Sequence, residues 1–194
     1  MSNTKTRKEQ IKTLVMGAIL TALVIVLQLL GSFIRLGPFS ISLVLIPIVI
    51  GAATCGVKIG GWLGFIFGVT VLLSGDAAAF MAVHLVGTII TVLLKGTLCG
   101  LAAGLTYKLL AKHSQYFAVL AAAVVCPLIN TGVFLLGCCV FFLKTVAEWG
   151  AAAGFQNTVG YMFLGLAGGN FLFELIINIV LSPVIVKVIT FENK

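Results

Sequence analysis

The chain has 194 residues, 61% of them hydrophobic and 9% charged, with a formal net charge of +7 and a mean hydropathy of +1.23. A soluble domain carries about 25% charged residues, so this composition excludes a water-soluble globular protein and points to an integral membrane protein. The apolar runs are continuous rather than alternating over about 10 residues, which excludes a transmembrane β-barrel.

A polar, basic head (SNTKTRKEQ) precedes the first predicted span, 11–31. The apolar run passes straight into further membrane sequence and no small-x-small cleavage site stands out, so it reads as a span and not as a removable signal. The loop SFIRLGPF follows. The predicted second and third helices, 41–55 and 60–74, are short and joined by a tight turn. One unbroken helix would have to carry Lys58 and three glycines (Gly56, Gly60, Gly61) at its centre. Ser74-Gly75-Asp76 ends the third helix. The fourth, 81–110, exceeds the roughly 20 residues a bilayer needs and is therefore tilted or projecting. The polar turn AKHSQY leads to the fifth helix, 117–143, and a loop carrying Glu148, Trp149, Gln156 and Asn157 leads to the sixth, 161–189.

Six crossings in a single domain put both termini on one side. Nine of the twelve basic residues (Lys5, Arg7, Lys8, Lys12, Lys58, Lys108, Lys112, Lys187 and Lys194) fall on that side, against Arg35 and Lys144 opposite and Lys95 within the membrane. The bias predicts cytoplasmic termini. The positive charge is then a topology signal and a contact with anionic lipid, with no nucleic-acid partner. The fold expected is an all-α bundle of six transmembrane helices.

Several polar residues lie inside or beside these spans. Lys95 and Glu174 are costly in lipid and are expected to face the protein interior. One reading makes them a mutual ion pair that locks the bundle. The other has Lys95 receiving an anionic substrate or setting a polar network beneath it. Asn170, Glu174 and Asn178 recur every four residues and form one stripe on the sixth helix. Asn130 follows Pro127, which frees a backbone carbonyl nearby. Asp76, His84 and Arg35 lie toward the outer side, with Phe33, Phe39, Phe80, Trp149, Phe155 and Tyr161. Those aromatics form an interfacial belt, from which one or two could close over a ligand. Arg35, Phe39, Asp76, His84, Lys95, Asn130, Trp149, Asn170 and Glu174 are thus the candidate substrate contacts. Ala18 and Ala22 make a smooth strip on the first helix for close approach of another helix. Glycines 60, 64 and 68 and glycines 96, 100 and 104 make similar strips, expected to pack within the molecule. The five cysteines form no CxxC pair and read as small buried side chains, not a metal or redox site. No GxxxxGK[ST], HExxH or catalytic triad occurs, so the chain is not expected to be an enzyme or to need a cofactor, and any ATPase must come from a partner.

These pieces resemble a substrate-binding S component of an energy-coupling factor (ECF) vitamin transporter, of the branch that takes folate, pantothenate and riboflavin. The resemblance rests on Ala18-xxx-Ala22, the stretch from Pro47 through Gly51 to Gly56, Lys95-Gly96, and Asn170-xxx-Glu174-xxx-Asn178 followed by Pro183. Val57-Lys58 replaces the Gly-Pro that many members have after Gly56; the turn is expected to survive on the flanking glycines. The resemblance implies a plasma-membrane protein that binds a vitamin near the outer face, under the loops after the first, third and fifth helices. It implies docking through the first helix on a transmembrane coupling subunit that carries two cytoplasmic ATPases, then toppling in the membrane to open inward. Arg35, His84 and Lys95, with little acidic charge nearby, favour an anion over a cation such as thiamine. Pantothenate leads, with folate and riboflavin open. The alternatives of another class are a stand-alone secondary carrier or channel, or a membrane-embedded enzyme. No repeat relates residues 11–110 to 111–194 as many secondary carriers would require, and Glu174 is the only acidic residue deep in a helix, where a hydrolase would want a pair.

Overall fold

A computed structural model describes the backbone of residues 2–32, 35–36, 39–40 and 43–192, and side chains over 7–32 and 43–190. In chain order these are α1 (Ser2–Gly31), a two-residue antiparallel ladder of β1 (Arg35–Leu36) and β2 (Phe39–Ser40), α2 (Leu45–Thr54), α3 (Val57–Ser74), α4 (Ala78–Val83), α5 (Leu85–Leu110), α6 (Gln115–Phe141), α7 (Leu143–Ala152), α8 (Thr158–Gly160), a π-helical segment (Tyr161–Gly168) and α9 (Gly169–Glu192). Among the described residues, five helices are long and apolar enough to cross a membrane: Arg7–Gly31, Val57–Ser74, Leu85–Leu110, Gln115–Phe141 and Thr158–Thr190.

Helix α2 is different. Its 10 residues reach about 15 Å at 1.5 Å per residue, half of a hydrocarbon core. Most of it is enclosed: Leu45, Pro47, Ile48, Val49, Gly51 and Ala52 are buried, and the face of Ile46, Ile50, Ala53 and Thr54 is half-buried. It packs against α1, α3, α5, α6 and α9 and so forms the central strut of the bundle. The expected helix 41–55 is thus confined to Leu45–Thr54, with residues 41 and 42 outside the described set.

The turn after α2 is made by Gly56 alone, at φ 91°, a conformation that suits glycine and few other residues. Helix α3 therefore starts at Val57 rather than at 60, with Lys58 exposed in its first turn. Gly60 and Gly64 lie inside the helix, where they meet α5 backbone to backbone. A Cβ on Gly60 would come within 2.7 Å of the Gly100 carbonyl oxygen, and one on Gly64 would fall on that of Gly96. The two glycine strips face each other, which is how close packing replaces the absent hydrophobic drive between helices in lipid.

The same contacts give direction. Gly104 lies against Val57 and Gly68 against Val92, so α3 and α5 are antiparallel. Gly17 lies near Ile59 at one end and Ser32 reaches Asp76 at the other, so α1 and α3 are parallel.

Three differences from expectation matter for the site. The predicted helix 81–110 is broken: α4 stops at Val83, His84 is extended (φ −151°, ψ 91°) and α5 starts at Leu85. His84 is a single polar residue in an apolar stretch, and one polar side chain does not by itself distinguish a cap that breaks a helix from a polar group within one. The predicted loop after the fifth helix contains α7. The predicted sixth helix opens with eight π-helical residues containing Gly165 and Gly168.

Two hydrophobic cores result. The larger joins α1, α2, α3, α5, α6 and α9 through Val24, Ile48, Leu63, Phe67, Cys99, Ala122 and Ile185. The smaller is aromatic and joins α4, the end of α6, α7 and the π segment through Phe80, Phe142, Val146, Met162 and Leu166.

A polar cavity at the seam between the two cores

The two cores do not close completely on each other. Between them lies a partly enclosed cavity of about 70 Å³. Phe67, Val71 and Val92 line it from the larger core, and Phe80, Phe134 and Phe142 from the smaller. Its polar lining is Gln28, Asp76, Thr88, Thr91, Lys95, Asn170 and Glu174. It sits toward the end of α1 and the start of α5, away from the chain termini. A second cavity of about 50 Å³, lined by Asn130, Thr131, Leu166 and Ala167, shares Lys95, Phe134 and Asn170 with the first. The shared residues form a partition between them.

Lys95 lies in mid α5, half-buried, with Nζ 5.5 Å from the ring centroids of both Phe67 and Phe134. A cation between two aromatic faces is held by their quadrupoles. Among the described residues Lys95 makes no ion pair, so the expected lock with Glu174 is not formed. Glu174, 2% exposed, accepts instead from carboxamides: Asn170 Nδ2 donates to Oε1 at 3.2 Å and Asn130 Nδ2 to Oε2 at 3.5 Å. Asn178 Nδ2 donates to the backbone carbonyl of Glu174 at 2.8 Å. The i, i+4 stripe therefore folds back on itself, as helix geometry allows.

Asp76, in the turn between α3 and α4, accepts on Oδ2 from Gln28 Nε2 at 2.6 Å and from Ser32 Oγ at 3.0 Å. Both donors belong to the end of α1, so one carboxylate ties that helix to the cavity rim.

Thr91 breaks a local rule. Thr21, Thr54, Thr70, Thr88 and Thr97 each donate to the carbonyl four residues back, the usual refuge of a helical threonine. Among the described residues Thr91 Oγ1 is buried with no partner, as are Gln28 Oε1, Asn130 Oδ1 and Asn170 Oδ1, and, away from the cavities, Gln115 Nε2 and Asn178 Oδ1. Buried polar atoms left unpaired cost about 1–3 kcal/mol each. Four of them around one pair of cavities mark a place built for something other than stability.

A family model described as "ECF transporter, substrate-specific component" matches residues 12–186. The chain belongs to that family. No curated protein and no solved structure matches it. The S component is thus a multi-pass membrane protein of a transporter family whose members bind substrate, and that family is not one of enzymes.

Of the expected contacts in this S component, Asp76, Lys95, Asn170 and Glu174 meet at the first cavity and Asn130 at the second. His84 does not line either: its Nδ1 accepts from Gly87 N at 2.8 Å, capping α5, and its ring packs on Phe141. Trp149 stands one layer back, edge-on to Phe80 at 5.3 Å. Arg35 and Phe39 belong to the β-ladder, with side chains outside the described residues. Ala18 and Ala22 are exposed on α1, among exposed Leu14, Ile19 and Val26. The expectation of little acidic charge nearby is corrected: Asp76 and Glu174 line the same cavity as Lys95. Sequence reasoning missed Gln28, Thr88, Thr91, Phe67, Phe134 and Phe142. A lone glutamine in the apolar run 14–30 was a usable signal for the first; threonines and phenylalanines are too common in membrane helices to signal anything.

Proposed function

We propose that this S component binds a small vitamin in the cavity between the two cores, with pantothenate the leading candidate. The observation that carries the reading is Lys95: an ammonium group at a cavity wall, flanked by two phenyl rings, with no ion pair to it among the described residues. Because two carboxylates share the wall, a positive field does not draw in the anion; a carboxylate or other acceptor meets Lys95 locally. The remaining wall asks for donors, since Gln28 Oε1 and Asn170 Oδ1 are unpaired. Pantothenate brings one carboxylate, two hydroxyls and an amide N–H. Riboflavin brings donors without a carboxylate. Folate brings carboxylates on a larger body than pantothenate, so the cavity would have to widen further for it than for pantothenate. These two rank behind.

In this proposal the chain crosses the plasma membrane six times with both ends in the cytoplasm. The parallel course of α1 and α3 supports it, since residues 32–56 must return across the bundle between them, partly as α2. The exposed Ala18–Ala22 strip on α1 docks on the transmembrane coupling subunit, which carries two cytoplasmic ATPases. Reconstituted alone, the protein binds its vitamin without accumulating it. With the coupling subunit, both ATPases and ATP, labelled pantothenate accumulates in vesicles, with riboflavin and folate tested in parallel. Accumulation of another vitamin rejects the substrate and keeps the mechanism. Uphill uptake by this chain alone on a proton or sodium gradient rejects the mechanism in favour of a secondary carrier.

A further inference from the structure

Three carboxamides around the cavities share one arrangement. Gln28 has its amide nitrogen on Asp76, and Asn130 and Asn170 have theirs on the two oxygens of Glu174. In each, the amide oxygen is buried without a partner among the described residues. A carboxylate accepts and cannot donate, so it fixes which end of a carboxamide faces it: the NH₂ is held and the oxygen is turned away. Glu174 does this twice. It uses both of its oxygens, makes no direct ion pair with Lys95, and is almost fully enclosed at 2% exposure. Asn130, 5% exposed, and Asn170 both border the second cavity.

We propose that Glu174 is a positioning residue that sets Asn130 and Asn170 as hydrogen-bond acceptors, so that the second cavity admits an uncharged donor group, a hydroxyl or amide N–H, of the same vitamin whose acceptor end meets Lys95. Lys95, Phe134 and Asn170 border both cavities, so one molecule can reach across the partition. This rests on the vitamin-binding reading above and adds to it which residue decides polarity. A group that only accepts, such as an ether or a second carboxylate, meets two amide oxygens there and is excluded, the asymmetry by which polar sites discriminate most strongly.

The chemistry gives a test by reversal. Glu174→Gln presents one oxygen and one NH₂. The oxygen still accepts from one asparagine, but the NH₂ faces the NH₂ of the other, which must turn over and offer nitrogen where it offered oxygen. Asn170→Asp alone sets two carboxylates against each other. Combined, the new amide accepts from Asn130 and donates to the new carboxylate, and every acceptor is restored. We expect each single variant to bind about tenfold or more weaker, the loss of one good hydrogen bond, and the double variant to recover.

Affinities of the purified full chain for pantothenate, riboflavin and folate are measured for the wild type and the three variants, with thermal stability alongside. The side-chain amide ¹H–¹⁵N resonances of Asn130 and Asn170 are followed without any ligand. Expected are slowly exchanging amide pairs in the wild type, disturbed in Glu174→Gln, with that of Asn130 regained in the double variant. Should Glu174→Gln not fold, folding and probe binding by the double variant carry the same conclusion. Amide resonances unaffected by Glu174→Gln, or a double variant no tighter than the single ones, overturn the proposal. If the wild type binds none of the three probes, the substrate reading fails, and the ligand-free resonances still decide the role of Glu174.

Discussion

Gln28 Nε2 and Asp76 Oδ2 lie 2.6 Å apart, joining residues 48 positions apart in the chain. With Ser32 on the same oxygen, this is the polar attachment of the end of α1, which holds on elsewhere by Leu20, Val24, the contact of Gly17 with Ile59 and the hydrogen bond from Trp62 Nε1 to Thr21 Oγ1. Asp76→Ala leaves the Gln28 amide wholly unpaired while 98% buried by the 2% exposure of its side chain, at a cost of about 1–3 kcal/mol. The melting temperature should fall. Adding Gln28→Leu should recover part of the loss, because an apolar group of similar size needs no partner. Strict additivity of the two changes in thermal unfolding would show that the bond does not anchor α1.

Lys95→Met should still fold, since it breaks no direct ion pair among the described residues and Glu174 keeps its hydrogen bonds from Asn130 and Asn170. Its vitamin affinity should drop by about 10- to 100-fold, the worth of a charged hydrogen bond. Adding Glu174→Gln should not restore it. A collapse of folding in Lys95→Met that Glu174→Gln reverses would instead reveal an ion pair.

Ala18→Trp with Ala22→Trp puts bulk on an exposed face, so vitamin affinity of the isolated protein should be unchanged while uptake with the coupling subunit and ATPases is abolished. Binding assays and uptake assays on the same variant separate the two. Loss of both would make the strip an internal packing face.

Gly64→Val should prevent folding or lower stability by several kcal/mol, beyond the ~1–3 kcal/mol of ordinary overpacking, because its Cβ meets the backbone of Gly96 rather than a movable side chain. Gly132→Ala, with nothing within 4 Å of the added carbon, should be neutral or stabilising by up to about 1 kcal/mol. Expression level and thermal unfolding in detergent compare them. Equal tolerance at both positions would contradict the α3–α5 contact.

His84→Ala should cost about 0.5–2 kcal/mol of stability, the value of a helix cap, and leave vitamin affinity within twofold. A selective loss of affinity without loss of stability would return His84 to the site.

The membrane class, most of the long helices and the two glycine strips as internal packing faces were legible in the sequence, though not that the strips face each other or that the helix 81–110 breaks at His84. Each legible feature depends on a local property: a bilayer demands about 20 consecutive apolar residues, and small residues four apart share a helix face wherever that helix sits. Gln28, Thr88 and Thr91 were missed, whereas the charged residues and the asparagines at the cavities were also visible, because charge and carboxamides in lipid are costly. Their partners were not. Whether Lys95 meets Glu174 or two phenyl rings, whether Gln28 finds Asp76, and whether His84 faces a cavity or caps a helix depend on the rotation and depth of each helix. Those are set by the sum of many weak packing contacts across the whole bundle. Asn130 and Glu174 sit 44 residues apart on different helices, and nothing in either helix alone records that α6 and α9 pack directly on each other, with α2 against both, so that a carboxylate and a carboxamide touch.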